Sequence, residues 1–115
     1  MPRSYWKLHL NSDKEKNAKA IVNRCIKLFD RLPIESEINK YTKGGFMADL
    51  QFFHDEEMKW SEVVLEVITL GECLGSGWLL TGKISENPSG ILSNQSPSST
   101  IKEAGLNWVL WEIEN

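Results

Sequence analysis

Four segments of the chain alternate apolar and polar residues in a way that predicts β-strands. The clearest are residues 6–10, WKLHL, and residues 46–53, FMADLQFF, because each places apolar side chains on one face and polar side chains on the other. Residues 77–84 and the aromatic run at 106–113 predict two later strands, and a short strand near Ile91 is expected between them. The sequence therefore predicts a sheet of four to five strands.

Two other segments carry apolar residues at helical spacing. The first ends near Arg31, and Ser12 followed by Glu15 predicts a capping box at its start. The second is predicted to begin near the acidic residues 55–57, where a helix dipole favours negative charge. Its β-branched residues leave a strand as the alternative, although the spacing favours a helix. The apolar positions of the two helices are Ala18, Ile21, Val22, Cys25, Ile26 and Phe29, then Trp60, Val63, Val64, Val67, Leu70 and Leu74.

The predicted element order is βαβαβ(β)β, which is typical of an α/β or α+β domain. Right-handed strand–helix–strand crossovers would place both helices on one face of a single mixed sheet, as a two-layer sandwich. Residues 33–45 mix proline, glycine and charged residues and are predicted to form a connecting loop. A length of 115 residues fits one domain that spans residues 1–115.

Charge is distributed unevenly along the chain. Residues 1–43 carry ten Lys and Arg against five Asp and Glu, whereas residues 44–115 carry three against eleven. Such asymmetry can steer a partner of opposite charge, and ordinary solvated helix faces are the alternative interpretation. The basic outer face of the first predicted helix could contact nucleic acid, but the acidic second half of the chain and a pI of about 5.4 argue against such a partner. Neither a membrane-length apolar run nor a signal-peptide pattern is found, so a cytoplasmic protein is expected.

Histidine and cysteine give little support for catalysis or metal binding. His54 precedes three acidic residues, but adjacent side chains diverge and no second cluster supplies further ligands, so capping or partner binding is favoured. His9 is expected to be an ordinary surface histidine on the first strand. Cys25 and Cys73 lack metal or redox spacing, and reduced thiols are favoured over a disulfide. We therefore expect no cofactor, no metal and a binding protein rather than an enzyme, although a site assembled from His9, His54 and Asp49 stays open.

Five tryptophans are many for a chain of this length. Trp6, Trp60 and Trp78 are predicted to fill the core. Trp108 and Trp111 fall on opposite faces of the last strand, so one of them is expected on the uncovered face of the sheet as a partner anchor.

Several segments together resemble bacterial immunity proteins. They are WKLHLNSD at 6–13, WSEVVLEVITLGECLGSGWLLTGKI at 60–84, SNQS at 93–96 and NWVLWEI at 107–113. The chain is similar over nearly its whole length to the cytoplasmic antidotes of contact-dependent growth inhibition and related polymorphic-toxin systems. The resemblance rests on size, element order and tryptophan-rich strands rather than on a diagnostic motif, so it transfers no functional residue. It implies a protein that binds and blocks the C-terminal toxin domain of a delivered effector, frequently a nuclease.

An acidic recognition surface is compatible with that role, because nuclease toxins are often cationic where they bind phosphates. On this hypothesis the partner-binding residues are Asp55, Glu56, Glu57, Glu62 and Glu66, the last two lying four apart on the helix face opposite the valine stripe. The alternative hypothesis is a small-molecule-sensing regulatory domain, since two-layer sandwiches often bind ligands or dimerise through their sheets.

Overall fold

A computed structural model describes residues 1–114 of the chain, which form two helices and eight strands. The helices are α1, Glu15–Phe29, and α2, Trp60–Glu72. The strands are β1 Arg3–Leu10, β2 Glu35–Lys40, β3 Phe46–Phe53, β4 Gly75–Ser76, β5 Leu79–Thr81, β6 Ser89–Ser93, β7 Thr100–Ile101 and β8 Leu106–Glu114. The fold is α+β.

Six strands form the main sheet in the order β2-β3-β1-β8-β6-β5, and every neighbouring pair in it is antiparallel. Strands β1 and β2 consequently run parallel with β3 between them, and β3 and β8 run parallel with β1 between them. The chain passes through α1 between the first pair and through α2 between the second, so the core of the fold is two interlocked split βαβ units. Strands β6 and β5 extend the sheet beyond β8, and β4 pairs with β7 in a separate two-stranded ribbon.

The prediction of a mixed sheet with four or five strands was wrong in strand number and orientation. The error arises from segment 33–45, which was predicted as a loop. Most of this segment forms β2 and the tight turn into β3. Strand β2 shows no clear alternation because it is a polar edge strand, and among its side chains only Ile38 is partly buried. Backbone pairing with β3 holds it in place, and Gly44 and Gly45, both with positive φ, make the turn.

Helix boundaries also differ from those predicted. Lys14 occupies the N-cap position of α1, and Ser12 instead accepts a hydrogen bond from the Lys14 N–H, so the predicted capping box is absent. The helix ends at Phe29, because Asp30 adopts a left-handed conformation with φ of 53°. Helix α2 is confirmed as a helix, but it begins at Trp60, several residues after the predicted start.

The predicted strand at 77–84 shortens to β5. Gly77 and Gly82 have φ of 82° and 78°, which interrupts extended backbone on either side of three strand residues. Trp78 lies just outside the strand, and its Nε1–H is shared between the carbonyl oxygens of Gly71 and Gly75, each at 3.1 Å. The strand predictions for 46–53, for the Ile91 region and for the last strand are confirmed.

Both helices pack on one face of the sheet, here called the covered face, as predicted. Alternate residues of β1, β3 and β8 point into this layer and are buried among the apolar stripes of α1 and α2. Trp6 and Trp111 are the largest fully buried side chains. Gly90 lies opposite Trp111, and a Cβ there would approach the indole Nε1 to 2.5 Å, so glycine is required for the indole to lie across β6. The other side of the sheet is called the open face.

Cys25 and Cys73 are both free thiols, as predicted. Burial raises the pKa of the Cys25 thiol to about 12, so it stays protonated at neutral pH. Neither helix within residues 1–114 has the length and apolar content needed to span a membrane.

Candidate functional site

Four hydrogen-bonded polar side chains, here called the buried network, lie on the covered face at one end of the sheet. Ser4 and His54 are buried, whereas Glu66 and Arg31 keep 31% and 35% of their side chains exposed. Ser4 Oγ lies 2.8 Å from His54 Nε2, and His54 Nδ1 lies 2.7 Å from Glu66 Oε1. Arg31, just beyond α1, donates to the same Glu66 oxygen and to the carbonyl of Phe53. These contacts join β1, the residue after β3, α2 and the segment after α1, so the group ties four parts of the fold together.

The hydrogen bonds assign a neutral tautomer to His54. The Glu66 carboxylate can only accept, so the proton of a neutral ring lies on Nδ1, and Nε2 then accepts from the Ser4 hydroxyl. Ser4 Oγ in turn accepts from Trp6 Nε1–H at 2.9 Å. Burial lowers the pKa of His54, and its hydrogen bond to Glu66 offsets this only in part. Burial opposes ionisation of Glu66, but hydrogen bonds from Arg31 and His54 outweigh it and lower the pKa of that carboxyl.

The order serine, histidine, carboxylate has the connectivity of a hydrolytic triad. However, Ser4 has no exposed surface, and its oxygen already accepts a hydrogen bond from Trp6. A nucleophile must reach a substrate carbonyl, and this hydroxyl faces the interior between strand and helix. The role of the group is therefore structural, because it satisfies buried polar atoms and fixes the position of α2.

The acidic residues that follow His54 lie in an exposed loop before α2, called here the acidic loop and comprising Asp55, Glu56 and Glu57. Asp55 Oδ1 accepts the N–H of Glu57 at 2.9 Å, which shapes the loop. Glu56 Oε1 lies 3.5 Å from the amino group of Met1. All three carboxylates reach solvent, but the prediction that they stand at the start of α2 was wrong, because the helix begins only at Trp60.

The two glutamates predicted on α2 have different surroundings. Glu62 is exposed, and its Oε1 accepts the N–H of Lys59 at 2.8 Å, which caps the start of the helix. Glu66 is turned towards His54 and Arg31, with 31% of its side chain exposed. The structure therefore brings four of the five predicted residues to the surface at this end, while Glu66 belongs to the buried network.

Two further carboxylates lie at the same end of the sheet. Glu112 and Glu114, on the exposed end of β8, have side chains on the open face. Glu114 lies opposite Arg3, which in turn lies opposite Phe53 at the end of β3, two residues before the acidic loop. Residues that are more than fifty positions apart in sequence are thus brought to one end of the sheet. This surface is called the acidic end and comprises the acidic loop, Glu62, Glu112 and Glu114.

His9 is more constrained than an ordinary surface histidine. Its ring stacks on Trp108 with centroids 5.6 Å apart and planes 8° apart, and Tyr41 packs edge-on against both. Nε2 lies 2.9 Å from the Gly44 carbonyl oxygen, and the Asn107 amide lies 3.0 Å from Nδ1. With a proton on Nε2, the ring donates to the Gly44 carbonyl, and Nδ1 accepts from the Asn107 amide. Of the two tryptophans of β8, Trp108 is therefore the one on the open face, while Trp111 is in the core.

Sequence patterns contain no indication that Ser4 contacts His54 or that Arg31 contacts Glu66. A weak signal exists for Glu66: it lies four residues before Leu70, and residues at that spacing share a helix face, so it borders the apolar stripe. The open-face position of Glu112 follows from strand alternation once Trp111 is known to be buried.

Within residues 1–114, no cluster of three or more histidine, cysteine, aspartate or glutamate side chains is arranged to hold a metal ion. The alternative enzymatic site, from His9, His54 and Asp49, is not assembled: His54 is buried on the covered face, whereas His9 and Asp49 are on the open face. Comparison of the chain with protein-family models, with curated proteins and with solved structures found no match.

Proposed function

We propose that this protein is an immunity protein that binds and neutralises a cognate toxin domain, of nuclease type, in the cytoplasm. The observation that carries the proposal is the acidic end of the sheet. There the acidic loop, Glu62, Glu112 and Glu114 present exposed carboxylates from three separate parts of the chain. The resemblance of the sequence to polymorphic-toxin antidotes supports the same role.

The mechanism of inhibition is electrostatic and steric. A nuclease domain must concentrate positive charge where it holds the phosphate backbone. A surface of carboxylates complements that charge, accelerates encounter and, once docked, keeps nucleic acid out of the same groove. No residue of the inhibitor needs to react, so the function requires a rigid acidic surface and not a catalytic group.

The buried network serves this surface by holding it rigid. His54 directly precedes the acidic loop, its backbone N–H bonds the Pro2 carbonyl at 2.9 Å, and its ring is fixed from both sides by Ser4 and Glu66. A loop anchored in this way loses little conformational entropy on binding, which improves affinity for a given contact area.

The test is a calorimetric titration with the C-terminal domain encoded by the gene directly upstream, at about 50 and about 300 mM salt. We expect tight binding that weakens with salt, because exposed charges are screened over about 10 Å at 0.1 M. The double variant Glu56→Lys/Glu57→Lys should bind at least about tenfold more weakly, which corresponds to roughly 1.4 kcal/mol.

The matched control is Glu15→Lys/Glu72→Lys, which makes the same charge change at exposed positions on the opposite end of the molecule. It should keep most of the wild-type affinity. Absence of binding by the wild type, or survival of toxin activity when the two proteins are expressed together, would overturn the proposed function.

A further inference from the structure

The open face carries an apolar row that neither helix of the described chain covers. Leu110 of β8 lies opposite Ile91 of β6, and Ile91 lies opposite Leu79 of β5. Ile91 is 40% exposed and Leu79 63% exposed, while Leu110 is half-buried. Trp108 lies two positions before Leu110 and on the same face. These four residues are called the apolar strip.

The apolar strip ends in a shallow depression at the edge of the sheet. Leu79, Ile91 and Trp78 line it together with serine residues of the loop before β7, and its volume is about 280 Å³. Single exposed apolar residues are normal on protein surfaces, but a continuous row beside a depression is typical of an interaction site. An aliphatic or aromatic side chain of a partner can enter there and become desolvated, which is how interface hot spots gain their energy.

The charge of the open face as a whole indicates which kind of partner it fits. Among the described strand residues, carboxylates outnumber cations on the open face by five to two: Glu35, Glu37, Asp49, Glu112 and Glu114 against Arg3 and Lys7. Lys7 Nζ lies 3.9 Å from Asp49 Oδ1, so these two charges offset each other, and the Arg3 guanidinium lies 4.7 Å from the centre of the Phe53 ring. The strand residues of the open face therefore keep an excess of three carboxylates over cations. A partner on this face must therefore offer positive charge around an apolar anchor.

We propose that the apolar strip is the anchoring part of the interface with a basic protein, and that the carboxylates of the open face and the acidic end steer that protein onto it. This inference rests on the proposed function and deepens it, because it places the energetic centre of the interface on the open face. The acidic loop then forms one rim of the interface rather than its centre.

A second copy of this chain is a poorer occupant of the same surface. Two open faces packed together would oppose acidic surfaces of equal sign, which costs energy at an interface. The exposed basic residues of α1 lie on the far side of the sheet; they are Lys16, Lys19, Arg24 and Lys27. Pairing that helix with the open face of a neighbour would be head-to-tail and would leave both ends open.

The experiment compares two double variants of the full chain against the same upstream-encoded toxin domain. Leu79→Ala/Ile91→Ala removes apolar contacts from the strip. Leu28→Ala/Leu65→Ala is the matched control, because these leucines are 37% and 63% exposed and lie on the helices. We expect the strip variant to lower affinity by at least about thirtyfold, chiefly through faster dissociation, and the control to lower it less than about threefold. Urea denaturation of each variant verifies that it is folded.

A charge variant separates anchoring from steering. Glu112→Lys should slow association several-fold at low salt and change dissociation little, whereas the exposed Glu72→Lys should leave both rates near wild type. The solution mass at about 50 μM should be that of a monomer.

The outcomes separate the two proposals. If wild type binds and the acidic-loop variant is weakened while the strip variant is not, the proposed function stands and the anchoring role of the strip is overturned. If wild type does not bind, both fail. A dimer that Leu79→Ala/Ile91→Ala dissociates would make a second copy the occupant and would also overturn the inference.

Discussion

The two faces of the sheet are built from the same strands and differ in almost every physical respect. On β8, Trp111 points to the covered face and is 1% exposed, whereas Trp108 points to the open face and stacks on His9 at the surface. The covered face is apolar and continuous beneath two helices, and the buried pair Ser4 and His54 within it is hydrogen-bonded. The open face mixes carboxylates with an apolar row. Stability is therefore concentrated on one side, and the other side is free to bind a partner.

The sharpest test of this contrast replaces the two tryptophans of β8 separately. Trp111→Ala should lower the free energy of unfolding by about 3–5 kcal/mol, because it leaves a large cavity in the core. Trp108→Ala should cost about 1 kcal/mol, the scale of one exposed aromatic contact. Urea denaturation followed by circular dichroism measures both. Similar losses in the two variants would contradict the view that the covered face carries most of the stability.

The buried network should matter more than the exposed carboxylates beside it. Glu66→Ala removes the acceptor of both His54 and Arg31 and should cost about 2 kcal/mol, because a buried donor is left without a partner. Glu57→Ala, at an exposed loop position, is the control and should stay within about 0.5 kcal/mol of wild type. Equal urea midpoints for Glu66→Ala and Glu57→Ala would show that the buried network contributes nothing to the free energy of unfolding.

Close packing on the covered face can be tested by adding one methyl group. Gly90→Ala would place a Cβ against the Trp111 indole, with a closest approach of 2.5 Å, and should destabilise the protein by about 1.5 kcal/mol through overpacking. Ile91→Ala, the next residue but on the open face, should cost less. A neutral or stabilising Gly90→Ala would mean that β6 is loosely packed.

Acidification should weaken the covered face first at His54. The pKa of buried His54 lies below its ordinary value of 6.5, so the unfolded chain takes up this proton at higher pH than the folded one. Its contribution to stability is complete above pH 6.5 and declines as the pH falls through the folded pKa. Glu66 adds a second loss below pH 4.5, because the folded protein holds its pKa below that ordinary value.

Urea midpoints measured from about pH 8 to about pH 4 check this expectation. His54→Gln should be less stable at the alkaline end but should lose the decline that begins near pH 6.5, while the step below pH 4.5 is retained in part. A wild-type midpoint that stays level or rises as the pH falls from 6.5 by about 1.5 units would contradict the neutral, buried histidine.

Local patterns predicted much of the fold, and the failures share a cause. Alternation along β1, β3 and β8 and the stripes of α1 and α2 are recognisable because each element has one buried face. Strand β2 is not recognisable from its sequence, because Ile38 is its only partly buried residue. The position of β2 depends instead on its pairing with β3. The predicted strand orientation was wrong for the same reason, because the extra strand β2 decides in which direction β3 runs in the sheet.

The candidate surfaces divide in the same way. The exposure of Asp55, Glu56 and Glu57 was predictable, since three adjacent charges rarely find buried partners. The inward turn of Glu66 and its contacts with Arg31 and His54 depend on how α2 lies against the sheet and where α1 ends. The row formed by Leu79, Ile91 and Leu110 exists only through the register of three strands.

By itself the sequence determined what the local pattern of residues can express: which segments are helices, which amphipathic segments are strands, which side of each of these elements is apolar, and that the last strand splits its tryptophans between two faces. The tertiary structure alone decided the antiparallel strand order, the burial of Ser4 and His54 as a hydrogen-bonded pair, and the meeting of the acidic loop with Glu112 and Glu114 at one end. The reason is physical. Periodicity follows from the bonds along the chain, whereas register and long-range contacts are set by which faces remain to be buried once those elements have formed.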